Sequence, residues 1–63
     1  MKTEAEIKTA IDRETEYSLN ALRNGTVSSE ALHKIIRDKS ETRSNVTLAG
    51  MCSALAIYNA TEA

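Results

Sequence analysis

His33 and Cys52 carry the two most reactive side chains of this sequence at neutral pH, an imidazole able to move a proton and a thiol able to attack as a thiolate. Neither belongs to a larger constellation. His33 lies among Leu32, Lys34 and Ile35, with no Asp or Cys at helical spacing to complete a proton relay, so a surface or boundary position is expected rather than a general base. Cys52 has Ala49, Ser53, Leu55 and Ala56 as helical neighbours and no cation to lower its pKa, so it reads as a small buried hydrophobe. One His and one Cys fall short of the three or four ligands of a zinc site, and a single cysteine closes no disulfide within the chain. Asp12 with Glu16, and Glu4 with Lys8, stand four residues apart, the spacing of a solvated, charge-paired helix face rather than of an acid/base dyad. Gly25 and Gly50 are isolated from one another, so no phosphate-cradling loop is present. An enzyme is the least expected class, and no cofactor or metal is called for.

Binding is therefore the chemistry to look for, and the charges are distributed in segments. Residues 1 to 17 hold five acidic against three basic side chains, and residues 23 to 43 hold five basic against three acidic, with His33 in addition. The basic strip leads into Ser44-Asn45-Val46-Thr47, and this stretch resembles the start of the second helix of a helix-turn-helix module. That resemblance implies a nucleic-acid contact through Arg37, Lys39, Arg43 and Asn45. The turn glycine is absent, however, and the helix beyond Thr47 is almost wholly apolar. An excess of two positive charges would also neutralise few phosphates. Glu14 and Ser18 form a second polar feature, because both fall inside the apolar stripe of the first helix. Either they make a polar layer, with Arg43 or Lys39 as the partner of Glu14, or the stripe narrows there and Glu14 reaches water. Tyr17 and Tyr58 are expected as boundary residues, ring in and hydroxyl out, though an oligomer could use them to stack a small anionic ligand such as a nucleotide.

The elements that position these residues are helices. Thr3 and Glu6 have the spacing of a capping box, and Ile7, Ile11, Leu19 and Leu22 follow on one side of a helix over residues 3 to 24, with Ala10 and Ala21 flanking. Asn24-Gly25 supplies a left-handed stop. Ser28 caps a second helix over 28 to 40, with Val27 and Leu32 as a hydrophobic staple and Leu32, Ile35 and Ile36 as its apolar edge. From Arg37 to Asn45 no apolar residue occurs, and the apolar positions on either side are out of phase, so a bend or break is expected near residues 40 to 44. The third helix, residues 45 to 60, is apolar nearly all round. It is too short to cross a bilayer.

A chain of 63 residues buries only about 60% of its unfolded surface, and here the core lacks Phe and Trp. Two short amphipathic helices cannot easily cover a third that is apolar on every side. The expectation is an all-α fold, a single helical domain over residues 1–63, in which the first helix packs antiparallel on the rest as a helical hairpin and two or more copies assemble into a helical-bundle homo-oligomer. Val46, Leu48, Gly50, Met51, Leu55 and Tyr58 are the expected interface, with the Gly50-x-x-x-Ala54 spacing allowing close backbone approach between copies. The free cysteine, the polar start and the lack of a long apolar run lead to the expectation of a cytoplasmic protein without a membrane segment. The expected function is that of a small, non-enzymatic regulator or inhibitor acting by binding a larger protein, of the sort phages and other mobile elements encode, an analogy from size. A nucleic-acid-binding regulator and an oligomeric nucleotide-sequestering protein are the alternatives.

Overall fold

The computed structural model describes residues 2–38 and 41–62, and these form three helices with no strand among them. Helix α1 runs Glu4–Arg23, α2 Ser29–Asp38 and α3 Asn45–Thr61. Each start has a local cause. At α1 the capping box closes in both directions: the Glu6 N–H donates to Thr3 Oγ1 at 3.2 Å, and the Thr3 N–H donates to Glu6 Oε1 at 3.3 Å. At α2 the Ala31 N–H donates to Ser28 Oγ at 3.0 Å. At α3 the Thr47 N–H donates to Ser44 Oγ at 3.2 Å, so Ser44 is the cap and Asn45 the first helical residue.

The ends follow equally simple rules. Gly25 takes φ +83°, which reverses the chain after α1, and Asn24 Oδ1 accepts the Thr26 N–H at 2.9 Å to fix the turn. The expected interruption between the second and third helices is present, with residues 41–44 non-helical. Residues 39 and 40, the far end of the expected second helix, lie outside the described residues, and Lys39 with them.

The helices do not pack as the expected hairpin. Glu14 of α1 meets Gly50 of α3, and further along both helices Arg23 Nε donates to Glu62 Oε2 at 2.8 Å. Residue numbers therefore rise together along the contact, which makes α1 and α3 parallel, with α2 as the short return between them. α3 packs chiefly on α1, and α2 rests mainly on α3. The core is small. Leu22, Leu32 and Ala54 are 4%, 3% and 0% exposed, and Leu19, Val27, Ile36, Met51, Leu55 and Tyr58 pack around them half-buried. This cluster lies toward the turn end of α1. Ile7 is correspondingly exposed although it belongs to the same stripe as Leu22, because α3 covers α1 well only beyond its first turns.

Candidate association surface

α3 carries no charged side chain over its whole length from Asn45 to Thr61. Its inner side is set by size. A Cβ added to Gly50 would clash with Glu14, lying 2.8 Å from its carbonyl carbon and 2.9 Å from the Thr15 nitrogen, so only glycine lets the two backbones come this close. One turn on, Ala54 is fully buried. Gly50 and Ala54 therefore line the contact with α1 of the same chain. The close approach expected of Gly50 between copies is used inside the chain instead, and Gly50 drops out of the candidate interface.

Met51, Leu55 and Tyr58 turn toward the core and are half-buried against it, so they are only partly available to another molecule. Val46 and Leu48 are half-buried without being part of that cluster. The outer side is made of residues that sequence reasoning passed over. Cys52, Ala56, Asn59 and Ala60 are exposed, as is Ile57, and Ala49 and Ser53 are half-buried beside them. Cys52 is thus a correction: its expected burial does not occur, because the side of α3 that carries it faces away from both other helices. The outer face is uncharged and consists largely of small side chains flanked by Leu48 and Ile57.

Glu14 and Ser18, the two polar interruptions of the α1 stripe, do fall at the helix contact. Ser18 is 5% exposed, and Glu14 is half-buried with its Cβ against Gly50. Among the described residues Glu14 makes no hydrogen bond or ion pair, so of the two alternatives the bridge to Arg43 is not made, and Lys39 lies outside the description. The stripe is narrow at this level because its partner is a glycine, and a polar residue is accommodated through its Cβ alone.

The basic strip offers less than its composition promised. Arg37 Nε donates to Asp38 Oδ1 at 3.0 Å, and Arg23 is committed to Glu62. Arg43 and Asn45 are exposed around the start of α3. His33 is exposed on α2. Tyr58 is half-buried as expected of a boundary residue, but Tyr17 is 76% exposed, its ring outside the α1–α3 contact. Among the described residues no cluster of His, Cys, Asp and Glu is arranged to hold a metal ion, and no helix is long and apolar enough to cross a membrane. No family model matches the chain, and no curated protein or solved structure matches it either.

Proposed function

We propose that this chain is a non-enzymatic interaction protein, a regulator or inhibitor that acts by binding a larger protein and associates with its own copies through α3. The observation that carries the reading is the uncharged outer face of α3. An amphipathic surface helix ordinarily places charged and polar residues opposite its buried side. α3 instead places Cys52, Ala56, Ile57 and Ala60 in water, while among the described residues the buried apolar core is Leu22, Leu32 and Ala54. Covering that face would enlarge the core without any charge having to be desolvated. The charged residues of α1, Glu4, Glu6, Asp12 and Glu16 among them, remain exposed for a second contact.

The test is solution mass by light scattering over a wide concentration range, for the native chain and for Ala56→Glu. The native chain is expected to show a multiple of its 6.9 kDa mass, and Ala56→Glu, with its helix content unchanged by circular dichroism, is expected to be monomeric. A native chain that stays at 6.9 kDa at every concentration would overturn the self-association.

A further inference from the structure

We infer that Asn24 and Gly25 form a self-modifying site that the fold holds shut: when the turn after α1 opens, the Gly25 nitrogen attacks the Asn24 carboxamide, and the opening is recorded as an irreversible loss of ammonia. The asparagines of the chain precede Ala21, Gly25, Val46 and Ala60. Only at Asn24 does the following residue lack a side chain to shield its backbone nitrogen. Asn24, Gly25 and Thr26 are all exposed, and no atom lies within 4 Å of where a Gly25 Cβ would be, so water and hydroxide reach the pair freely.

The step needs no reagent besides water. The Gly25 N–H gives its proton to hydroxide, the nitrogen bonds to Asn24 Cγ, and the bond from Cγ to the side-chain nitrogen breaks. That nitrogen leaves as ammonia, taking a proton from water and so restoring the hydroxide. Water then opens the cyclic imide at either carbonyl. One opening gives aspartate at position 24, and the other gives isoaspartate, in which the main chain runs through the former side chain.

The closed turn forbids the geometry of attack. An imide ring is nearly flat, so closing it requires the Gly25 nitrogen to eclipse Asn24 Cβ about the Cα–C bond. Asn24 has a ψ of 0°, which eclipses that nitrogen with the backbone nitrogen of Asn24 instead and turns it away from Cβ. Rotating the bond would break the hydrogen bonds that close the turn: the Gly25 N–H donates to the Leu22 carbonyl at 3.4 Å, the Val27 N–H to the Ala21 carbonyl at 3.3 Å, and the Thr26 N–H to Asn24 Oδ1 at 2.9 Å. The Thr26 hydroxyl donates to the same Oδ1. The carboxamide is thus tethered, and the proton of the attacking nitrogen is itself engaged. Surface turns open locally at less cost than global unfolding, and each opening releases both restraints.

The product refolds on worse terms. Asn24 caps the C-terminal end of α1, where the helix dipole is negative and a carboxylate is repelled. Arg23, the adjacent cation, is already paired with Glu62. One neutral amide becoming one acid takes the net charge from −1 to −2. Isoaspartate also lengthens the backbone inside the turn that the Gly25 and Val27 hydrogen bonds span.

The test holds the native chain in one buffer, at fixed pH and temperature, beside the same chain in guanidinium chloride and the Leu32→Ala variant without denaturant. Isoelectric focusing measures the fraction of chains that have gained an acid, and peptide mass mapping locates it. Conversion at Asn24 is expected in all three, about tenfold or more slowly in the native chain than in the other two. Equal rates in the native and denatured chains would overturn the gating by the turn. Conversion of Asn20, Asn45 or Asn59 ahead of Asn24 in the denatured chain would overturn the site. Asn24→Asp, the product with a normal backbone, is expected to melt below the native chain, and an equal or higher melting temperature would overturn the destabilising effect of the acid.

Discussion

Gly50 and Glu14 bring α3 and α1 together backbone to backbone: a Cβ at Gly50 would lie 2.8 Å from the Glu14 carbonyl carbon, closer than non-bonded carbon atoms pack. Alanine inside a helix ordinarily gains up to about 1 kcal/mol over glycine. Here the clash involves main chain that cannot rotate away, and overpacking costs about 1–3 kcal/mol. Gly50→Ala is therefore expected to lower stability by about 1 kcal/mol or more in urea denaturation. A stabilised variant would mean that the helices separate at this point without loss.

Gly25 isolates the opposite case. No atom lies within 4 Å of where its Cβ would be, but its φ of +83° is one that L-residues adopt at a cost. Gly25→Ala should lose about 1 kcal/mol through backbone conformation alone. Gly25→Asn should recover part of it, because asparagine tolerates the left-handed region. Thermal denaturation of the two variants side by side tests the order.

Leu32 is 3% exposed and is the one buried residue of α2. Leu32→Ala removes about 2–5 kcal/mol. A single core of this size supplies about 3–5 kcal/mol in all. The variant should therefore be largely unfolded at room temperature, with most of its circular dichroism signal at 222 nm lost.

Ser44 holds the start of α3 through the Thr47 N–H. Ser44→Ala is expected to cost about 1 kcal/mol, and Ser44→Gly only a few tenths, since glycine leaves the helix end open to water. Amide hydrogen exchange should show the loss of protection confined to the first turn of α3.

The Arg23–Glu62 pair is 2.8 Å long, but its side chains are 47% and 35% exposed, which limits it to about 0.2–1 kcal/mol. Glu62→Gln should lower the melting temperature slightly in dilute buffer. In about 1 M salt, where the screening length falls to about 3 Å, the difference from the native chain should disappear.

The helix boundaries were legible because their signals are local. Thr3 with Glu6, Asn24 with Gly25, Ser28 and Ser44 each satisfy or reverse a few backbone groups within four residues of themselves, and no tertiary contact is needed to read them. The helix arrangement was not legible, for a reason that lies in α3. A hydrophobic wheel points inward only if one side is polar, and the wheel of α3 has apolar residues in nearly every direction. Gly50, Cys52 and Leu55 were thus equivalent as far as periodicity goes, and the sequence reading placed Gly50 between copies and Cys52 inside. What separates them is the contact itself: at Gly50 the α1 backbone comes too close for a Cβ, whereas Cys52 faces the other way. Glu14 and Ser18 stood out in the sequence as polar residues inside the α1 stripe, and both fall at the contact with α3. Their cause, a glycine opposite, belongs to another helix.

The parallel course of α1 and α3 also fixes how the molecule would respond to mechanical load. The start of α1 and the end of α3 lie at opposite ends of a body 36 Å long. Tension applied through those two points pulls the helices past one another in shear, so that the Glu14–Gly50 contact, the leucine cluster and the Arg23–Glu62 pair are strained together. Two antiparallel helices joined by a turn would instead be pried open one contact at a time from their free ends.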